Sequence, residues 1–262
     1  MGEYSNTKLY NGLFNNMKPD YPMLYGAITV SQPRTICELA CGDGRLLPLF
    51  LSFQDINIIG LDIEPEMIES FKSRGGDRVK SMVSDLCMPL PDISDAELLI
   101  LSGSTLRLIH PQERLKVLNN IYKAMNDNAA LYIDHCEVTY GFYETSPWRT
   151  YYDTLRFWWT AEYWEILKKF SWKKEVTETM DIYSYRYNPT GESAVINTYI
   201  YSFNDLLSDL EKAGFKVSRA FSEYQHPYNV NNHKRFIGFA TGQANSQNSS
   251  DLLSERLKNF MK

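Results

Sequence analysis

Apolar residues run in two alternating periods along the first half of the chain. Short apolar runs of strand length stand at residues 35–39, 57–62, 79–84, 96–101 and 129–134. Between them, residues 46–53, 65–73 and 111–125 place apolar side chains at helical spacing. In the last of these, Leu115, Leu118, Ile121, Tyr122 and Met125 form one buried stripe. Strands alternating with helices predict a parallel, doubly wound sheet. Ligands of such sheets sit beyond the carboxyl ends of the strands. Glu38, Asp62, Asp85, Ser102 and His135 all fall at predicted strand ends, in chain order.

The second half changes character. Residues 137–200 crowd aromatic side chains, including Tyr140, Phe142, Trp148, Tyr152, Phe157 and Trp164. Residues 153–170 can be helical. Residues 175–187 and 193–201 alternate β-formers with polar residues, and Asn188-Pro189-Thr190-Gly191 joins them as a hairpin. The doubly wound pattern then resumes. Ser202-x-x-Asp205 is a capping-box start, Leu206, Leu207, Leu210 and Ala213 give an inner face, and Gly214 ends the helix. Residues 215–217 and 235–241 read as the sixth and seventh strands. Residues 243–250 form a flexible linker, and 252–261 can make one amphipathic helix.

Composition narrows the function classes. The chain has 262 residues, 44% of them hydrophobic, enough for one core with a cap. A net charge of -5 weighs against nucleic acid as a partner. No run reaches the length of a membrane span, and the start lacks signal-peptide chemistry, so a cytoplasmic location is expected. Cys37, Cys41, Cys87 and Cys136 show no C-x-x-C spacing and are expected as free thiols. The histidines show no ligand spacing either, so no metal is expected.

The chemistry centres on Glu38-Leu39-Ala40-Cys41-Gly42-Asp43-Gly44. Gly42 and Gly44 allow a turn that brings backbone close to a ligand, and the helix after them offers free N–H groups. The dinucleotide pattern G-x-G-x-x-G fails, because Leu47 stands at its third glycine. Asp62 lies 18 residues after Gly44, near the spacing of an acid that accepts from ribose hydroxyls. A cap for the helix at 65–73 is its alternative role. Ile63 can pack on an adenine face.

This pattern, E-x-A-x-G-x-G with an acid ending the next strand, resembles the class I S-adenosylmethionine-dependent methyltransferases of the small-molecule type. Ala40 stands at the first glycine of their motif, and Asn126-Asp127-Asn128 replaces their usual Pro-Gly-Gly. The resemblance implies S-adenosyl-L-methionine as cofactor. Glu38, Ala40, Gly42 and Gly44 would hold its methionine end, while Asp85 and the Leu86 N–H would meet the adenine edge. Ser102, at the fourth strand end, joins the cofactor set. The implied fold is α/β, a doubly wound, mostly parallel, seven-stranded Rossmann-like sheet with an inserted α+β substrate cap. Its implied parts are lid helices at 1–30, a core at 31–136 and 201–242, the cap at 137–200, and a linker and helix at 243–262.

The resemblance implies methyl transfer to nitrogen or oxygen of a small-molecule metabolite, by a monomer or homodimer, compatible with specialised-metabolite biosynthesis. The Asn/Asp-Pro-Pro-aromatic motif of amide and base methylation is absent after residue 101. His135, Glu137 and Tyr10 are the candidate bases. Trp148, Tyr152, Arg156 and His226 are the candidate substrate contacts. For His135 a satisfied structural histidine is the alternative. Three other functions stand beside this one: a non-catalytic module that binds the same cofactor, a protein or RNA methyltransferase, and a nucleotide-dependent oxidoreductase.

Overall fold

The computed structural model describes residues 7–15, 18, 20–136, 169–222, 226–227 and 235–242. These fall into two compact units, Met1–Pro19 with Val138–Ile200 and Asp20–Glu137 with Tyr201–Lys262.

The larger unit is built on one sheet. Its strands are β1 (Thr35–Leu39), β2 (Asn57–Asp62), β3 (Val79–Val83), β4 (Leu98–Leu101), β5 (Ala130–Cys136), β9 (Phe215–Ser222), the two-residue β10 (His226–Pro227) and β11 (Arg235–Gly242). Their order is β3-β2-β1-β4-β5-β11-β9-β10. The first five pair in parallel. β11 then runs antiparallel between β5 and β9. Seven principal strands, mostly parallel, therefore match the architecture expected from sequence, and His226–Pro227 adds a short edge bridge. The order reverses between β1 and β4, which opens a crevice at their carboxyl ends.

Helices cover both faces, and side-chain alternation decides which residue meets which. α2 (Tyr21–Ser31), α3 (Leu47–Leu51) and α4 (Pro65–Gly75) bury Leu24, Ile28, Phe50 and Phe71 against Ile36, Ile58, Ile100 and Tyr132. On the other face α5 (Arg114–Ala124) and α6 (Phe203–Lys212) bury Leu118, Ile121, Leu206 and Leu210 against Cys37, Leu39, Leu99, Leu131 and Ile133. Successive strand residues point to opposite faces. Along β5, Ala130 and Tyr132 thus face one layer while Leu131 and Ile133 face the other.

Three expectations change. The lid expected over residues 1–30 is divided, because residues from Asp20 onward group with the larger unit, where Leu24, Ala27 and Ile28 are core. The helix after the glycine turn is a single turn and a half, Leu47–Leu51. The fifth strand does not stop at Asp134. Pairing of Phe236 with His135 and Arg235 with Cys136 extends it by two residues.

The smaller unit carries α1 (Thr7–Phe14) and an antiparallel sheet of β6 (Phe170–Val176), β7 (Met180–Tyr187) and β8 (Ser193–Tyr199). The expected hairpin at residues 188–191 is present, with Gly191 at φ 77° and its N–H donating to the Tyr187 carbonyl at 2.8 Å. The strand expected over 175–187 is two strands. The Thr177 N–H and the Met180 carbonyl close a turn at 2.8 Å, and the Thr177 hydroxyl accepts from the Met180 N–H at 2.9 Å. Phe14 packs edge-on against Tyr185 within this unit. Of the helix expected over 153–170, residues 153–168 lie outside the described residues and Phe170 instead opens β6; the helix at 252–261 and the linker at 243–250 also lie outside the described residues.

Candidate functional site

The crevice at the β1–β4 reversal gathers the glycine turn and the predicted acids of the larger unit. The turn is tight and left-handed at three places, Ala40 (φ 55°), Gly42 (φ 55°) and Gly44 (φ 92°). The two glycines serve different ends. A Cβ at Gly42 would meet nothing within 4 Å, so its backbone faces open space that a ligand can approach. A Cβ at Gly44 would lie 3.0 Å from Leu47 Cβ and from Phe71 Cδ2, so this glycine lets α3 and α4 close on the turn. Gly60 does the same on β2, where a Cβ would meet Phe71 Cε1 at 2.5 Å. The close helix–strand packing that a third glycine gives a dinucleotide fold is supplied here from β2.

Glu38, the penultimate residue of β1, has only 3% of its surface exposed, and its Oε2 has no hydrogen-bond partner among the described residues. A buried carboxylate oxygen left so is costly unless a cation or donor reaches it. Burial pushes the Glu38 carboxyl well above its ordinary range. Arg45 pulls it back, while Asp20, Asp62 and Asp43 push it further up.

Asp62 ends β2. Its Oδ2 accepts from the Gly42 N–H at 2.8 Å and its Oδ1 from the Glu64 N–H at 3.0 Å. Each oxygen keeps a further lone pair for a hydroxyl. The side chain therefore ties the glycine turn to β2 and closes a turn at Glu64, the N-cap residue of α4, which has no side-chain cap bond. Burial raises its pKa, and the two backbone donors hold it down. Ile63 follows with 53% exposure, an apolar side chain open beside the acid. Asp85 closes a local turn through the Cys87 N–H at 2.8 Å, and Leu86 is buried.

Three residues that sequence reasoning missed complete the cluster. Arg45, just after the turn, pairs bidentately with Asp20 at 2.7 and 2.5 Å and donates to Ser102 Oγ at 3.2 Å. Asp20 is 1% exposed. Asp134 on β5 accepts from the Ser104 N–H at 2.9 Å and holds the left-handed Gly103-Ser104 step after β4. Its charge also raises the Arg45 guanidinium pKa, as do those of Asp20 and Glu38 against the effect of burial. Side-chain parity could have found Asp134. It shares the Ala130 and Tyr132 face, the face of the turn helices.

The same parity removes His135 from this site. His135 lies on the α5–α6 face, 1% exposed, with Nε2 2.7 Å from the Tyr201 carbonyl oxygen. Tyr201 and Phe203 pack edge-on against its ring. The Arg114 guanidinium covers the Tyr201 ring at 3.9 Å, and the Tyr201 hydroxyl donates to Asp209 at 2.8 Å. His135 thus clasps the strand that leads out to residues 138–200 to the segment that returns from them. The backbones of Tyr10 in α1 and His226 in β10 are described; Glu137, Trp148, Tyr152 and Arg156 lie outside the described residues. Among the described residues the four cysteines are free, no cluster suits a metal ion, and no helix is long and apolar enough to cross a membrane.

Comparison with known proteins agrees with this geometry. Residues 36–128 match a family described as "Methyltransferase domain". An uncharacterised methyltransferase of Schizosaccharomyces pombe, C25B8.09, is 28% identical over 123 residues, 45% of this chain and 47% of its own length. The alignment thus spans about half of that relative. Among solved structures, an S-adenosylmethionine-dependent methyltransferase from Clostridium acetobutylicum ATCC 824 superposes with a TM-score of 0.64 at 12% identity. It covers 89% of this chain and 96% of that one. CalS10 from Micromonospora echinaspora, an amino pentose methyltransferase solved with S-adenosylmethionine bound, gives 0.57 at 10% identity over 90% of this chain and 95% of its own. At such identities the solved structures show the fold. Residues 36–128 therefore match a methyltransferase domain, and the sheet order with its glycine turn is the fold of these S-adenosylmethionine-dependent methyltransferases.

Proposed function

We propose that this protein transfers a methyl group from S-adenosyl-L-methionine to nitrogen or oxygen of a small-molecule metabolite. The observation that carries the reading is Glu38 Oε2, buried near the β1 end without a hydrogen-bond partner among the described residues, beside a turn whose Gly42 is open. When bound, the cofactor supplies an electrophilic methyl on a sulfonium sulfur. Glu38 takes the ammonium of its methionine end, and the open backbone at Gly42 lets that end approach the turn closely. Asp62 accepts from the ribose hydroxyls with the lone pairs that Gly42 and Glu64 leave. Ile63 covers one adenine face, and Asp85 with the Leu86 N–H reads its edge. Ser102, held by Arg45, lines the β4 side. In-line displacement needs alignment and exclusion of water rather than an oxyanion hole.

A small acceptor is supported by the net charge of -5, by the missing amide-methylation motif, and by the amino pentose methyltransferase among the structural relatives. The aromatic segment 137–200 supplies acceptor recognition, with Trp148, Tyr152 and Arg156 among its contacts. An amine acceptor can shed its proton to solvent, and for a hydroxyl acceptor Glu137 is the base of choice.

Calorimetric titration with S-adenosylhomocysteine tests the cofactor site. Wild type binds in the micromolar range, and Asp62→Ala weakens binding by about 1–3 kcal/mol through the unsatisfied hydroxyl pair. A folded wild type that binds none ends the reading. Methyl transfer from labelled cofactor to amino sugars and phenols then identifies the acceptor atom. Binding without transfer to any of them favours a non-catalytic module.

A further inference from the structure

We propose that Asp20, Tyr21 and Arg45 form a positioning brace that fixes the cofactor turn and sets the charge that Glu38 presents to the cofactor's ammonium group. The proposal rests on the cofactor reading above. It adds three residues that hold the turn and act on the acid through their charge, away from the reacting atoms.

The geometry is unusual for a helix start. Asp20 stands at the N-cap of α2, where an aspartate ordinarily accepts from the N–H groups of the first turn. Here it makes no side-chain cap bond. Both its oxygens go to Arg45 instead, at 2.7 and 2.5 Å. Its neighbour Tyr21 donates from its hydroxyl to the Arg45 carbonyl oxygen at 2.7 Å. Two successive residues of α2 therefore grip one residue of the turn, by side chain and by backbone. Arg45 passes the constraint across the crevice by donating to Ser102 Oγ at 3.2 Å. A buried, bidentate pair of this kind is rigid, and loss of either partner leaves a buried charge uncompensated.

The brace also sets a field. Among the described residues, four charged groups act most strongly on Glu38, Arg45 and Asp43 from the turn, Asp20 from the start of α2 and Asp62 from the end of β2, and the titratable Tyr21, Cys37 and Cys41 lie in the same field. Arg45 is the sole cation among these four. Asp134, from β5, faces Arg45 in turn. Because Asp20 engages both arms of Arg45, the cation steadies Glu38 without neutralising it by direct pairing. The carboxylate oxygen stays available to a ligand cation. Asp20 is also the first residue of the larger unit, directly after the segment Met1–Pro19 of the smaller one, so the brace stands where the chain passes between units.

The test is the pH profile of S-adenosylhomocysteine binding by calorimetry, between pH 5 and about 7.5, below the titration of the ligand's own amine. Wild type binds more tightly as pH rises and Glu38 ionises. Glu38→Gln flattens the profile. Arg45→Met moves the midpoint of the wild-type profile up by roughly one pH unit or more, because the opposing cation is gone. Asp20→Asn moves it down, because a like charge is gone and Arg45 is released toward Glu38. Arg45→Lys keeps the charge and holds the midpoint, but loses affinity several-fold at every pH. A residue that merely supported the fold would weaken binding without moving the midpoint in opposite directions. Equal midpoints in Asp20→Asn and wild type, or a pH slope that survives Glu38→Gln, overturn the proposal while leaving cofactor binding intact. Should Arg45→Met fail to fold, Asp20→Asn and Arg45→Lys decide it alone. Absence of binding by wild type overturns the cofactor reading itself.

Discussion

Glu38 and His135 are both buried titratable side chains near the carboxyl ends of parallel strands, β1 and β5. One has an oxygen without a partner among the described residues, in a field of Asp20, Asp43 and Asp62. The other holds its Nε2 2.7 Å from the Tyr201 carbonyl oxygen and is wrapped by the rings of Tyr201 and Phe203. They also face opposite layers of the sheet. Burial alone therefore says little about function. What separates the two is surroundings: the imidazole is closed in by aromatic rings and a backbone carbonyl, and the carboxylate lies beside a turn whose Gly42 is open.

The largest expected effect falls on Glu38. Glu38→Ala is expected to weaken S-adenosylhomocysteine by about 1.5–3 kcal/mol, the range for a hydrogen bond to a charged group, measured by calorimetry at pH 7.5. Stability responds in the other direction. The folded carboxyl titrates above its unfolded value, so its contribution to stability is full below the ordinary carboxylate range. That contribution is lost as pH rises through the folded value. Thermal melts of the ligand-free protein should therefore lose stability from about pH 5 upward relative to Glu38→Gln, and added ligand should remove the difference. Equal melts for both proteins across that range would erase the contrast with His135.

Substitution of the aromatic-packed member, His135, should do the reverse. His135→Phe keeps the aromatic packing and leaves the Tyr201 carbonyl without its 2.7 Å partner. Urea unfolding should report a loss of about 1–3 kcal/mol, the penalty for an orphaned buried group. Affinity for S-adenosylhomocysteine should stay within twofold of wild type. Loss of methyl transfer with binding and fold retained would return His135 to the catalytic set and break the comparison.

The sheet, its helices and the cofactor turn were legible because each is a local signal. Apolar runs, Gly42 and Gly44, and an acid at the end of the second strand need no knowledge of distant contacts. The Asp20–Arg45 pair was not legible, since 25 residues separate its members and nothing periodic links them. The face that His135 takes was hidden for a different reason. The rule that polar strand ends face the ligand ignores parity, and one residue along β5 changes the face. Counting back from Ile133, which meets α5 and α6, assigns His135 to that layer and Asp134 to the turn side. The added pairing with β11 then carried the strand past the point where the apolar run stopped.

Two glycines sharpen the contrast between closed and open parts within the turn itself. Gly44→Ala must accept a Cβ at φ 92° and 3.0 Å from both Leu47 and Phe71. Backbone strain and overpacking together are expected to remove about 2–3 kcal/mol of stability. Gly42→Ala meets only the strain of φ 55°, which Ala40 already tolerates at the same angle two residues earlier. Its loss on urea unfolding should be about 1 kcal/mol. Its methyl, however, enters the space that the proposed reading gives to the cofactor. Calorimetry should then show a loss of affinity in Gly42→Ala larger than its loss of stability, and the opposite ranking in Gly44→Ala, once the fraction folded is allowed for. The rankings would coincide if the space at Gly42 were solvent alone, because a methyl group there would then touch nothing that binding requires.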